Sequence, residues 1–328
     1  MGTRSKIEII FLLLNCLFIS TIGTAKNDGK LDNAIKLFEE QKYDEAKKIF
    51  EQIASENPKN HEPFGYMGQI YLRQGDYDNS IDWYKKAVKL DGKNSLYHFQ
   101  LGQAYGIKAQ RASIFKKVGA AKNVKKEFAK AVELDSLNIE ARFGLMQFYL
   151  MAPGIMGGDK DEAKNQAKEI SKINKPEGHL AFGVIYEREE NVEKAQIEYK
   201  QAIEADANIL RYQYNLARVY GDNKKLDQAF EIYEKILKNN PEDLTAYYQV
   251  GRLSSKTGEN LQRGKECLHQ FIQAKTNNNE TVTAWAHYRL GLIHEKEGNK
   301  DEAKKEFETA LKINPDHKQA KKALKNLK

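Results

Sequence analysis

An aromatic ring returns along this chain on a 34-residue step: Tyr71 to Tyr105, Phe50 to Tyr84, Tyr186 to Tyr220, and Tyr199 to Tyr233. Gly68 and Gly102 keep the same step. A small residue and a ring, repeated at a fixed interval of this length, describe one helical hairpin copied in series and stacked on its neighbours. Such an array is all-α. It places its working surface on equivalent positions of successive copies, not in one enclosed pocket.

Five copies have the regular hairpin length. The first carries Ala34 and Leu37, then Ala46, Phe50 and Ile53, and ends at Asn57-Pro58. The second carries Phe64, Met67, Gly68 and Tyr71, turns at Gly75-Asp76-Tyr77, and continues with Ser80, Tyr84 and Ala87. Glycine tolerates the left-handed conformation that closes a helix, which suits Gly75 to that turn. The fifth has Phe182, Gly183, Tyr186, Ala195, Tyr199 and Ala202; the sixth has Leu216, Ala217, Tyr220, Ala229, Tyr233, Ile236 and Pro241. The eighth has Leu290, Gly291, His294, Ala303, Phe307, Ala310 and Pro315.

These recurring positions resemble the tetratricopeptide repeat family over about residues 27 to 316. The resemblance implies a right-handed α-solenoid of about eight hairpins, spanning approximately 27–60, 61–94, 95–138, 139–175, 176–209, 210–243, 244–283 and 284–317. Residues 317–328 read as a capping helix, with Ala320, Leu324 and Leu327 on one face and five lysines on the other. A terminal repeat has to cover its apolar side.

Three copies depart from the step. In the third, Phe128 follows Tyr84 by 44 residues, so ten are inserted. In the fourth, Leu145 and Tyr149 precede the long turn Ala152-Pro153-Gly154-Ile155-Met156-Gly157-Gly158. In the seventh, Gly251 is followed by Gly264 and Leu268 one residue out of register.

Residues 1–25 differ from the rest. Arg4 and Lys6 precede an apolar run from Ile9 to Ile19, then Gly23, Thr24 and Ala25. This is the pattern of a secretory signal peptide cut after Ala25, leaving the array from residue 26 and no membrane span. The run falls short of the roughly 18 apolar residues a spanning helix needs. An uncleaved anchor is the alternative, as is a lipid on Cys16, although Asn15 is a poor neighbour for one. The expected location is therefore exported, periplasmic or secreted. The stretch Phe148 to Gly158 also resembles a segment of exported bacterial tetratricopeptide proteins of unknown role. Once the leader is removed, Cys267 is the single cysteine and cannot form an internal disulfide.

Catalytic motifs are missing: the chain has no Walker loop, HExxH, CxxC or GxSxG, and it implies no cofactor or metal. Its seven histidines are scattered, with only His287 and His294 two turns apart on one expected helix. An enzyme built on the glycine turn, with Gly157-Gly158 as an anion-binding nest before Asp159, remains the remote alternative. The net charge of +7 suits solubility, and export disfavours nucleic acid as a partner.

Two surfaces could bind. The insertion of the third copy is basic, with Lys108, Arg111, Lys116, Lys117, Lys122, Lys125, Lys126 and Lys130 against Glu127 alone. Lys116, Lys117, Lys122, Lys125 and Lys126 are the candidates for an anionic envelope component, a glycan or lipid headgroup. The family resemblance points elsewhere, to the concave groove lined by first helices. Its aligned places hold Phe99 and Gln103, Phe143 and Gln147, Tyr214 and Arg218, Tyr248 and Arg252, and Tyr288. Rings flanked by glutamine and arginine suit a protein or extended peptide partner. The carboxylate clamp of chaperone-binding members is absent, because Leu31, Ile35, Gly65 and Gln69 occupy its places. The sequence thus reads as a non-catalytic scaffold in cell-envelope assembly or maintenance.

Overall fold

The computed structural model describes residues 29–111, 114–274 and 280–327, with the backbone alone for residues 111, 114–118 and 280. The expected leader lies outside the described residues. Among those described there are seventeen α-helices, one short 3-10 turn and no strand. The chain divides into two compact units, one ending at Glu190 and the other starting at Asn191.

The first unit contains α1 (Gly29–Glu39), α2 (Tyr43–Glu56), α3 (Glu62–Gln74), α4 (Tyr77–Leu90), α5 (Ser95–Arg111), α6 (Ile114–Leu134), α7 (Ile139–Met151), the 3-10 turn Gly154–Met156, α8 (Lys160–Ile173) and α9 (Lys175–Arg188). The second contains α10 (Val192–Ala205), α11 (Leu210–Asp222), α12 (Leu226–Asn239), α13 (Leu244–Thr257), α14 (Leu261–Gln273), α15 (Glu280–Lys296), α16 (Lys300–Ile313) and α17 (Lys318–Asn326). Within each unit, successive helices fold back on one another through short turns.

In the second and eighth hairpins a glycine and a ring mesh at the crossing, and in the first and sixth Ala34 and Ala217 hold the small-residue place. Tyr84 of α4 is fully buried, and a Cβ placed on Gly68 of α3 would stand 2.7 Å from its Cδ1. Only a residue without a side chain admits the ring there. Ser80 then donates to the Gly68 carbonyl at 2.8 Å, drawing the same two helices together. Phe307 of α16 is likewise buried against Gly291 of α15.

The ten-residue insertion is helical. α5 and α6 run to 17 and 21 residues, against 13 and 14 in α3 and α4. Phe128 keeps the ring's role despite its displaced number. It is seated between Gly102 and Gly144, where an added Cβ would lie 2.8 and 2.9 Å from the ring. A buried polar contact also ties the long hairpin: His98 Nδ1 lies 2.6 Å from Glu127 Oε2, and Nε2 donates to the Gly92 carbonyl at 3.2 Å.

In the seventh hairpin the extra residue is taken up in the turn, where Gly258 and Asn260 both adopt left-handed backbone, φ 90° and 50°. At the end of the chain, α17 buries Ala320 and exposes Lys318, Lys321, Lys322 and Lys325. The His317 side chain caps it by accepting from the Ala320 N–H at 3.2 Å.

Four hairpins share one turn. The fourth residue after Leu37, Tyr71, Tyr220 and His294 is left-handed: Gln41 (φ 60°), Gly75 (80°), Lys224 (61°) and Gly298 (82°). The next N–H returns to the carbonyl of Leu37, Tyr71, Tyr220 or His294, at 2.9 Å each time. This bond ends the first helix and aims the second. Glycine marks the turn at only two of the four. Lys224 adopts the conformation at a cost of roughly 1–2 kcal/mol. Lys224→Gly should therefore raise unfolding free energy by about 0.5–1 kcal/mol once glycine's larger chain entropy is allowed for, read as a higher urea midpoint with unchanged slope.

Candidate functional site

The places aligned by the repeat step do not share one fate. In the first unit, Phe99 is 7% exposed and packs 5.9 Å from Phe128 between ring centroids. It is a core residue, which corrects its assignment to an open groove: Gly102 and Gly144 draw Phe128 in, and Phe99 closes over it. Phe143 is half-buried against the cluster of Met146, Leu150, Ala167 and Ile185. Gln103 and Gln147 lie half-buried.

In the second unit, Tyr214 is 8% exposed. Its hydroxyl donates to Asp243 Oδ1 at 2.7 Å, and the same carboxylate caps α13 through the Ala246 N–H at 2.8 Å. Burial and the Asp243 charge push its phenol upward. Tyr214 is thus a strut between α11 and α13, a second correction to the groove reading.

The remaining places keep polar atoms on the surface of α11, α13 and α15. Arg218 Nη2 donates to Asn215 Oδ1 at 3.2 Å, with Asp222 4.0 Å away. Asp222 is shared with Lys256 of α13 at 2.6 Å. Arg252 Nε donates to the Gln249 amide oxygen at 2.7 Å. Burial raises the Tyr233 phenol, while the charges of Arg252 and Arg218 oppose the rise. Tyr248 packs 5.3 Å from Phe271 and accepts from Arg289 Nε at 3.1 Å. Tyr288 is wedged among Phe307, Trp285 and His317, with centroids 5.9, 5.6 and 5.1 Å away.

One residue on this face escaped sequence reasoning. Arg289 lies over the Tyr248 and Trp285 rings, 5.3 and 5.7 Å from their centroids. It sits one position past Tyr288, where the repeat alignment looks for nothing.

The basic insertion is more neutral than its composition suggests. Lys108 pairs with Asp78, Lys126 with Glu127 at 3.2 Å, and Lys130 with Glu133 at 2.6 Å. Asp78 and Glu133 lie outside the inserted stretch, so counting charges within it overstates the excess. Lys125 rests 5.0 Å above the Tyr149 ring and Lys122 is exposed. The side chains of Lys116 and Lys117 lie outside the described residues.

The glycine turn leaves little for an anion. The N–H groups of Gly157, Gly158 and Asp159 donate to Gly154, Pro153 and Tyr149 carbonyls at 2.9, 3.1 and 2.9 Å. Gly157 is left-handed (φ 92°), and Asp159 caps α8 through the N–H groups of Asp161 and Glu162. The turn is spent on its own geometry. The two spaced histidines face different carboxylates, His287 meeting Glu306 at 2.7 Å and His294 meeting Glu297 at 3.6 Å. Among the described residues no three metal-ligating groups gather.

Hairpins of paired helices, meshed by glycine and ring on a common period, define a helical-repeat protein. Profiles described as TPR or tetratricopeptide repeat match residues 25–60, 68–106, 176–209, 210–243 and 284–317. The chain belongs to the tetratricopeptide repeat family.

Among curated proteins, it is similar to the human protein O-mannosyl-transferase TMTC3, 21% identical over 73% of this chain and 25% of that protein. It is also similar to the RNA polymerase-associated protein CTR9 of Caenorhabditis elegans, 24% identical over 76% and 22% of the two chains. The human antiviral innate immune response effector IFIT1 is 23% identical over 86% and 52%. The chain thus spans from about a quarter to half the length of these relatives. Among solved structures, a tetratricopeptide repeat protein from Parabacteroides merdae aligns with TM-score 0.51 at 16% identity, covering 81% of this chain and 98% of that one. The APC/C hetero-tetramer Cut9–Hcn1 aligns with TM-score 0.50 at 15% identity, covering 92% and 56%. Both likenesses concern the fold.

Cys267 is fully buried and burial pushes its thiol up to about 12, so almost none is thiolate at neutral pH. In a Cys16→Ser chain, which leaves one thiol, a thiol-disulfide reagent at pH 8 should react at the rate of local opening, and immediately in denaturant. Burial, with a smaller push from Arg289, lowers the His317 imidazole from its ordinary value. The neutral form is favoured in the folded chain, so the cap is at full strength above about pH 6.5 and weakens as pH falls below it. Protection factors of the α17 amides, with the intrinsic pH dependence of exchange divided out, should fall between about pH 6.5 and 5 in the parent chain, and much less in His317→Asn, which retains a capping oxygen.

Proposed function

We propose that this chain is a non-catalytic scaffold that binds a protein or an extended peptide along the first-helix face of α11, α13 and α15. The supporting observation is the set of half-buried arginines, with Arg218 and Arg252 acting on the Tyr233 phenol of α12 and Arg289 donating to the Tyr248 hydroxyl. Tyrosine and arginine offer large contact area together with hydrogen bonds. The struts beneath them, Tyr214 to Asp243 and Tyr248 to Phe271, hold the face in place. A partner then meets a surface whose ordering cost was met on folding.

Assembly with other proteins suits what related chains are named for. Cut9 is seen with Hcn1 in a hetero-tetramer, and CTR9 is named as an RNA polymerase-associated protein. The leader pattern at residues 1–25 supports an exported chain working in the cell envelope.

Crosslinked capture from native cells, compared across variants, tests this reading. The Arg218→Ala/Arg252→Ala chain should lose the partners of the parent by tenfold or more, with its melting temperature nearly unchanged. The Lys122→Glu/Lys125→Glu chain should keep them. Full retention by the arginine variant, or loss confined to the lysine variant, would remove the first-helix face as the binding surface.

A further inference from the structure

Building on the scaffold reading above, we infer that the face of α13 and α15 selects an acidic extended segment, with Arg252 and Arg289 receiving its carboxylates on either side of Tyr248. Three observations on this unit lead there.

The first is an imbalance of pairing. Three carboxylates elsewhere in the second unit meet cations: Glu234 meets Arg263 at 2.9 Å, Glu297 meets Lys265 at 2.8 Å, and Asp222 meets Lys256 at 2.6 Å. Arg252 and Arg289 are different. Among the described residues their hydrogen-bond partners are neutral, the Gln249 amide, the Tyr233 hydroxyl and the Tyr248 hydroxyl. A guanidinium carries five donors in a planar fork suited to carboxylate. Each of these two spends only part of that fork within the fold.

The second is geometry. Tyr248 and Arg252 are four residues apart on α13, which puts them on one face, one turn from each other. Arg289, from α15, lies over the Tyr248 ring 5.3 Å from its centroid and donates to its hydroxyl. One tyrosine therefore stands between two guanidiniums supplied by neighbouring helices. Successive side chains of an extended strand on one side are separated by roughly two residue rises, ~6.5–7 Å. That spacing is comparable to one helical turn of ~5.4 Å, so alternate carboxylates of a strand can each find a guanidinium.

The third is orientation without looseness. Arg289 is stacked between Tyr248 and Trp285, and Arg252 is held by Gln249. A fixed guanidinium loses less freedom on meeting a carboxylate than a swinging one. Of the negative charges acting at the neighbouring rings, Asp222 at Tyr233 and Glu295 at Tyr288, the first is taken by Lys256 and by Arg218. Glu295 lies on α15 and raises the Tyr288 phenol, an effect that the Arg289 charge opposes. The surface is a cationic and aromatic strip, the complement of an acidic segment with apolar residues between its carboxylates.

Fluorescence anisotropy of the full chain with labelled twelve-residue peptides tests the inference. The peptides share one apolar and aromatic framework and carry four Glu, four Gln or four Lys at alternate positions. At about 50 mM salt the Glu peptide should bind at least tenfold tighter than the Gln peptide, and the Lys peptide weakest. The advantage should shrink as salt rises. Arg252→Gln/Arg289→Gln should abolish it while leaving the Gln peptide's affinity within threefold, and a matched melting temperature checks that the fold is kept.

If Glu and Gln peptides bind the parent equally, the acidic preference is wrong and the scaffold reading survives. If none of the three binds, the peptide reading falls with it. A Glu advantage that persists in the double variant places the selectivity elsewhere and overturns the assignment to these two arginines. Inorganic polyphosphate displacing the Glu peptide at lower concentration than an unlabelled copy of that peptide would make the strip a general polyanion site, again overturning it.

Discussion

Three of the hairpins depend on a ring entering the space left by a missing side chain. Gly68 with Tyr84, Gly102 and Gly144 with Phe128, and Gly291 with Phe307 are the same device. The ring supplies apolar area, roughly 1.5–3 kcal/mol for a fully buried large side chain. Its greater effect is geometric. A helix pair that meshes at one fixed crossing has its other residues assigned to faces, some toward the neighbouring hairpin and some toward solvent. Behind α15, which carries Arg289, that crossing is Gly291 with Phe307.

That device explains why so much of the fold can be read from residue types. The 34-residue step locates ring and glycine, and both are unusual enough to stand out. Even the displaced Phe128 keeps its seat, because ten extra residues are accommodated by lengthening two helices, leaving the crossing intact. The turns are less legible. Gln41 and Lys224 occupy the same left-handed position as Gly75 and Gly298, and no residue preference announces them. They are held by the N–H to carbonyl bond that follows, which is backbone geometry and leaves no trace in side-chain identity.

The candidate surface was legible only in part, for a related reason. Repeat alignment says which positions are equivalent, not what the neighbouring helix brings to each. Phe99 and Tyr248 are equivalent in register, yet Phe99 is covered by the Phe128 cluster while Tyr248 is shared between Phe271 and Arg289. Tyr214 could pass for a groove residue until Asp243 is seen to take its hydroxyl. Arg289 reaches Tyr248 across 41 residues, off the step, so alignment passes it by. Charge counting failed in the same way at the third hairpin, where Asp78 and Glu133 neutralise lysines from outside the counted stretch.

The seats that organise this protein join residues close together in the chain: Gly68 and Tyr84 are 16 apart, as are Gly291 and Phe307, and Gly102 and Phe128 are 26 apart. Closing loops of that size costs little chain entropy, and folding rates rise as contacts become more local. Each hairpin can therefore seat its own ring before its neighbour is in place, and any of them can serve as the nucleus from which the stack grows. A chain that emerges and folds in order, hairpin after hairpin, never has to wait for its far end.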